Sequence, residues 1–345
     1  KTCVVGVPKT IDGDLKNEAV EISFGFDTAC KIYCETIGNI CKDALSAKKY
    51  TFFIKLMGRS ASHITLECAL QTRPNLALIG EEALQKKQTL HDVVQQITDV
   101  VEARSKSGKD YGVILIPEGL IEFLVDVKAL VKELNRLLVQ KPSQPVEELL
   151  SHASKECFLS LPKRIAEQLL LDRDPHGNVQ VSKIETERLL MLLVEQELKN
   201  RLFSGAFSPV SIFCGYEGRS ALPSNFDATY CYNLGRTAAS LIQSEKTGYM
   251  ATLCHLTKSA DQWRVGATPI LSMLHIEERH GVQKAVIQKA LVELNKKPFQ
   301  YYETIRESCI INDNYRQPGP IQFFGAKELT DSTPMSLQLE SKQGT

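Results

Sequence analysis

The chain has 345 residues, 43% of them hydrophobic, and 41 basic side chains balance 41 acidic ones, so it carries no net charge. That length suffices for about two or three domains with a sizeable core, and the charge balance offers no bulk field to draw the chain to nucleic acid or an anionic membrane. No apolar stretch reaches ~18 residues without a charge, which excludes a helical membrane span, and ten cysteines with no C-x-x-C pair and no signal-peptide pattern point to free thiols in a reducing cytosol.

Taken in order, Thr2-Cys3-Val4-Val5-Gly6-Val7 is a β-branched run that predicts a buried strand, and Pro8 ends its pairing because it has no N–H to donate. Lys9-Thr10-Ile11-Asp12-Gly13-Asp14 then leaves the carboxyl end of a strand, where open α/β sheets place ligand sites. Phe26, Cys30, Tyr33, Ile37, Ile40 and Ala44 recur at steps of three and four and predict a helix from about Asp27 to Ser46. Tyr50 to Leu56 reads as a strand ending at Met57-Gly58-Arg59. Ser60-Ala61-Ser62 starts a helix that Pro74 closes, and Leu76 to Ile79 is another strand. A helix from Leu90 to about Arg104, a strand from Gly112 to Ile116 broken at Pro117-Glu118-Gly119, and a helix to about Leu138 continue the alternation.

Lys141-Pro142-Ser143-Gln144-Pro145 interrupts that rhythm, and only helical patterns follow as far as Phe203, the longest from about Ser182 to Arg201. The alternation resumes with a strand from Val210 to Phe213 ending in Gly215-Tyr216-Glu217-Gly218-Arg219. A helix from Phe226 to Gln243 and a strand from Tyr249 to Leu253 come next, with Trp263 to Ala267 as hairpin partner. Gly281 to Asn295 reads as a last helix, His275 and His280 lie on a solvated helix face, and the tail after Phe324 is polar and loose. The expected fold is α/β, with doubly wound, mostly parallel sheets, helices on both faces and a helical insertion. The expected divisions are 1–140, an insertion at 141–205, an α/β continuation at 206–325 and a tail at 326–345.

Four polar clusters therefore lie at strand ends: Lys9 to Asp14, Met57-Gly58-Arg59, Glu118 with Gly119, and Tyr216 to Arg219. Strands of one parallel sheet share an edge, so the clusters are expected to converge on one cleft. A cation, two carboxylates and a glycine suit phosphoryl transfer: one carboxylate takes a proton, the other holds metal or substrate, and the cation meets phosphate. Each cluster also has an ordinary structural explanation, such as a solvated turn closed by Asp12-Gly13 or a helix-start Glu118. Neither G-x-x-x-x-G-K-S/T nor G-x-G-x-x-G occurs. Asp12 to Glu18 imitates the start of a calcium loop, but Leu15 and Lys16 stand where ligands should continue.

Pro8-Lys9-Thr10-Ile11-Asp12-Gly13-Asp14, Lys49-Tyr50, Met57-Gly58-Arg59, Pro117-Glu118-Gly119 and Tyr216-Glu217-Gly218-Arg219 together resemble the sugar-phosphate half of the phosphofructokinase family, in its long pyrophosphate-dependent form. The similarity extends to Gly25-Phe26-Asp27-Thr28-Ala29, to Arg173-Asp174-Pro175-His176-Gly177-Asn178 and to Pro318-Gly319-Pro320-Ile321-Gln322.

The resemblance implies a reversible phosphotransferase acting on fructose 6-phosphate and pyrophosphate. It makes Asp12 the base that takes the proton of the sugar 1-hydroxyl, and Asp14 the group that orients Mg²⁺ or the transferring phosphoryl. An ordinary Asp, with a pKa of ~3.9, would serve more by aligning the hydroxyl than by basicity. Thr10 and Ile11 line the substrate, and Lys9 stands where ATP-dependent members resembling this family have Gly, which goes with pyrophosphate as donor. Met57, Gly58, Arg59 and Glu118 grip the sugar, while Tyr216, Glu217, Gly218 and Arg219 hold the 6-phosphate. Lys49 and Tyr50 reach a neighbouring subunit's site, implying a homo-oligomer. The family's Gly-Gly-Asp donor loop, with its principal magnesium aspartate, is absent and expected ahead of residue 1. ATP as donor, and a regulatory subunit that keeps sugar binding, are the alternatives.

Overall fold

A computed structural model describes residues 2–139, 145–171, 179, 183–279, 282–321 and 326. The Lys141–Gln144 linker, the Arg173–Asn178 turn, Ser182, His280, Gln322 and nearly all of the tail lie outside them. The elements in order are β1 (Val5–Gly6), β2 (Lys9–Thr10), β3 (Phe24–Gly25), α1 (Phe26–Ala47), β4 (Thr51–Leu56), α2 (His63–Thr72), β5 (Leu76–Ala77) and α3 (Gly80–Gln85). Next come α4 (Leu90–Lys106), β6 (Gly112–Pro117), α5 (Val125–Val139), α6 (Val146–Leu149), α7 (His152–Ser160), α8 (Lys163–Leu171) and α9 (Thr186–Asn200). The chain continues through β7 (Pro209–Cys214), α10 (Asn225–Gln243), β8 (Tyr249–Cys254), β9 (Arg264–Pro269), β10 (Leu274–Arg279), β11 (Val282–Ile287) and α11 (Lys297–Ile311).

The main sheet is parallel throughout, in the order β5-β6-β4-β7. Its two central strands are buried along their whole length, as a sheet covered on both faces requires. Alternation sends Phe53, Ile114 and Ile116 into one core with residues of α4, α5 and α7 to α9. It sends Phe52, Ile54, Leu56, Val113 and Leu115 into the other, with α1 and α2. Helix α4 starts with a capping box: the Asp92 N–H donates to Thr89 Oγ1 at 3.2 Å and the Thr89 N–H to Asp92 Oδ2 at 2.8 Å.

A second sheet has the order β1-β8-β9, with β1 and β8 parallel and β9 returning antiparallel as a hairpin. Its β8 packs with α10 in a separate small core around Tyr230, Leu234 and Leu253. Buried Asp227 on α10 joins the two halves by accepting from the N–H groups of Gly25 (3.1 Å) and Thr28 (2.8 Å) at the start of α1.

Three expectations fail. The Thr2–Val7 run is not a buried strand: only Val5 and Gly6 pair, at a sheet edge, with Val4 59% and Val7 41% exposed. The helix expected from Gly281 to Asn295 is absent from the described residues 282–295, because β11 pairs antiparallel with β10 in the register Leu274↔Ile287 to Arg279↔Val282. Tertiary pairing overrides the helical spacing there, helped by the β-branched Val286 and Ile287, and His275 consequently sits in a strand. The last helix is instead α11, which opens with Pro298 in its first turn and buries Phe299, Tyr302 and Cys309.

Candidate active site

The parallel registers put Leu56 beside both Pro117 and Cys214, so the segments after β4, β6 and β7 emerge at one sheet edge. Three of the four polar clusters are on those segments. The fourth, Lys9–Asp14, belongs instead to the small β2-β3 pair and reaches the edge by packing rather than by strand order. Gly13, at φ +73°, makes this possible: a Cβ there would lie 2.9 Å from His63 Cβ and 2.9 Å from the Phe26 ring.

Short polar contacts shape the hexapeptide. The Asp12 N–H donates to Thr10 Oγ1 at 3.1 Å, the same hydroxyl lies 3.4 Å from Asp14 Oδ1, and Ser23 Oγ donates to the Thr10 carbonyl at 3.0 Å. Ile11 turns into the core beneath it. Asp12 is half-buried, and burial together with the neighbouring Asp14 carboxylate pushes its pKa up, against the opposing pull of Arg59, Lys289 and Lys9. An unperturbed Asp is thus the wrong picture, since this carboxylate binds its proton more tightly than an ordinary one.

Glu118 is 2% exposed. Its N–H closes the β4–β6 ladder on the Leu56 carbonyl at 2.8 Å, and Oε2 accepts from the Gly58 N–H at 3.3 Å. Burial and the charge of Asp12 raise its pKa to about 7, while Lys55, the Gly58 N–H and Arg59 oppose the rise. Arg59 is exposed, on a backbone pinned between Gly58 and Gly119, whose N–H donates to the Gly58 carbonyl at 3.2 Å. Met57, expected against the sugar, is a core residue at 9% exposure.

Tyr216–Arg219 forms a 3-10 turn. The Arg219 guanidinium lies 4.7 Å from the centre of the Tyr216 ring, which is 61% exposed. Glu217, though exposed, bends back to accept from the Gly215 N–H at 2.8 Å and so caps its own turn. Gly218 is buried against the Tyr33 ring, whose hydroxyl donates to the Gly215 carbonyl. Lys49 and Tyr50 precede β4 and so lie at the opposite end of the strand from Arg59.

Residues 289–292 supply site neighbours that sequence reasoning missed. Lys289 Nζ donates to Ser60 Oγ and its charge is felt at Asp12. The Ala290 N–H donates to the Asp14 carbonyl at 2.7 Å, and the Ala290 carbonyl is 2.9 Å from His63 Nε2. Glu81 ties the segment down, accepting from the N–H groups of Val292 (3.0 Å) and Ser62 (3.1 Å). No local signal marks Lys289, because its neighbours are distant in sequence.

The resemblance implies Mg²⁺. Among the described residues no three His, Cys, Asp or Glu side chains gather so as to hold a metal ion, and Asp12 with Asp14 offers two carboxylates only. Two carboxylates alone do not complete the coordination shell of such an ion. A cavity of about 870 Å³ between α4, α9 and the α7–α8 junction contains none of the site residues.

Comparison with known proteins gives the following. The family model described as Phosphofructokinase matches residues 1–242. The chain is 49% identical over 355 residues to the pyrophosphate--fructose 6-phosphate 1-phosphotransferase of Treponema pallidum, covering 98% of this chain and 62% of that protein. It is 54% identical over 332 residues to the beta subunit of the Solanum tuberosum protein of that name, covering 94% of this chain and 58% of that one. The chain thus spans about three fifths of the length of these relatives. A solved pyrophosphate-dependent phosphofructokinase from Nitrosospira multiformis shares the fold at a TM-score of 0.52 and 16% identity, over 91% of this chain and 61% of that one.

Proposed function

The chain belongs to the phosphofructokinase family, and from that premise we propose that the protein transfers a phosphoryl group reversibly from pyrophosphate to the 1-hydroxyl of fructose 6-phosphate. The observation that carries this reading is the half-buried Asp12, paired with Asp14 and facing the three cations Lys9, Arg59 and Lys289 beside buried Glu118. Phosphoryl transfer asks for that combination: a base at the attacking oxygen and fixed positive charge around the phosphates.

In this reading Asp12 aligns the 1-hydroxyl and accepts its proton as the new O–P bond forms, and its raised pKa makes it a better base than an ordinary carboxylate. Lys9 offsets charge on the leaving phosphate. Thr10 lines the substrate, with Ile11 anchoring the loop in the core beneath it, and Asp14 orients the transferring group. Arg59 presents a planar donor fork, Glu118 accepts from sugar hydroxyls, and Arg219 with Tyr216 holds the 6-phosphate. Lys49 and Tyr50, too far along β4 to serve their own site, complete that of a second copy in a homo-oligomer. Pyrophosphate rather than ATP is supported by Lys9 and by the printed names of the relatives at about 50% identity. A cytoplasmic setting is supported by ten free thiols; among the described residues no helix is long and apolar enough to cross a membrane.

Initial rates of the complete protein with pyrophosphate and with ATP, at saturating fructose 6-phosphate, test this. Turnover is expected with pyrophosphate and not with ATP. Faster turnover with ATP would overturn the donor, and sugar-phosphate binding without turnover on either would leave a binding subunit.

A further inference from the structure

Lys55 sits next to the carboxyl end of β4, with its side chain 4% exposed. An ammonium group buried to that degree has to be paired, and its partners come from outside the sheet. Glu187 Oε2 of α9 is 3.1 Å away and equally buried, and the Ile184 carbonyl accepts from Nζ at 3.1 Å. Both belong to the helical segment between β6 and β7. On the sheet, Nζ stands 4.5 Å from the centre of the Phe213 ring, and Phe213 meets Tyr216 edge to face with centres 6.5 Å apart. The sheet register adds one more neighbour: Lys55 pairs with Ile116, and the turn residue Glu118, whose carboxyl feels the Lys55 charge, follows two residues later.

We propose that Lys55 is a positioning residue: the helical segment fixes its ammonium group through Glu187 and Ile184, and that fixed charge orients the Glu118 carboxylate and, through Phe213, seats Tyr216. This rests on the reading that Glu118 and Tyr216 grip the sugar phosphate, although the link itself is between groups of this chain. Glu118 is faced by Asp12, which opposes its ionisation, and by Lys55 and Arg59, which favour it. Lys55 is faced by Glu187. A buried ion pair adds little net stability compared with an apolar pair, so a role in setting geometry accounts for it better than a role in holding the fold.

The double variant Lys55→Met, Glu187→Leu removes the pair as a unit and leaves no orphaned charge. Lys55→Arg keeps the charge. The Glu118 carboxyl is followed by ¹³C chemical shift across pH, and fructose 6-phosphate affinity by titration calorimetry. In the double variant the Glu118 midpoint is expected to rise from about 7 by about one pH unit, with sugar-phosphate affinity at neutral pH falling several-fold. Lys55→Arg is expected to titrate like the wild type. A folded double variant with wild-type midpoint and affinity would overturn the proposal and leave a cross-brace, as would an Arg variant that behaves like the double one. Lys55→Gln, with the same expected rise, replaces the double variant should that one not fold. A midpoint that shifts in a protein that never binds fructose 6-phosphate would remove the functional reading and keep the link.

Discussion

Replacing Gly119 by alanine probes the candidate site with one methyl group. The backbone at this position, φ −84° and ψ 5°, suits any residue, so the substitution carries no conformational penalty of its own. The cost is contact, since the new Cβ would stand 2.0 Å from the Arg59 carbonyl oxygen and 2.7 Å from its carbonyl carbon. Real Cβ atoms essentially never come within 3.0 Å of such neighbours, so two backbones, neither of which can rotate aside, must part by about 1 Å. That movement strains the 3.2 Å bond from Gly119 to Gly58 and the 3.3 Å bond from Gly58 to Glu118. Overpacking of this kind costs about 1–3 kcal/mol, and shifting Arg59 by about 1 Å is expected to lower kcat/KM by up to ~10²-fold. Differential scanning calorimetry reads the first effect and fructose 6-phosphate kinetics the second. Gly235→Ala, with open space around it inside α10, is the control and should gain up to about 1 kcal/mol. Wild-type melting and wild-type kinetics in Gly119→Ala would refute the close packing on which the site's geometry depends.

Three further outcomes are expected. Asp12→Ser in the complete protein should lower kcat by at least ~10²-fold while leaving fructose 6-phosphate affinity nearly intact; unchanged kcat in steady-state assays counts against Asp12 as base. Lys9→Gly should lose far more pyrophosphate turnover than sugar affinity, and titrating both substrates separates this from a general folding defect, which would weaken both alike. Glu118 predicts a pH effect on stability. Its pKa is raised in the folded chain from 4.5 to about 7, so between those values the native state holds a proton that the unfolded state has released. Stability therefore falls as pH rises through that window, by up to about 3 kcal/mol. Glu118→Gln should flatten the dependence relative to wild type in urea unfolding at pH 5 and pH 7.5, and equal slopes would contradict the assigned burial.

Legibility followed the range of the forces involved. Continuous apolar runs such as Phe52–Leu56 and Val113–Ile116 declared buried parallel strands, and the spacing of Cys30, Tyr33 and Ile37 declared α1, because both patterns are local. The Thr2–Val7 run has the composition of a buried strand and lies at an edge, because β-branched residues suit both places. For the 282–287 segment, pairing with β10 was decided by residues outside any window that periodicity examines. Helix α11 does carry a local signal, Phe299, Tyr302 and Cys309 behind Pro298. At the site, Asp12, Arg59 and Glu118 stood out because charge at a strand end is conspicuous. Lys289 did not, since its place beside Asp12 is created by hydrogen bonds from Ala290 and Val292 to residues more than two hundred positions earlier. Met57 and Glu217 look functional by adjacency and are occupied with the core and with their own turn.

The acidic hexapeptide stands on the small β2-β3 pair and the gripping residues on the main sheet, so a bound sugar phosphate would lean on two frameworks at once. Asp227 is part of the seam, and it holds by amide hydrogens at Gly25 and Thr28. A molecule that spans both frameworks is expected to steady that seam, so slower deuterium uptake at these two amides would report occupancy without any turnover being measured.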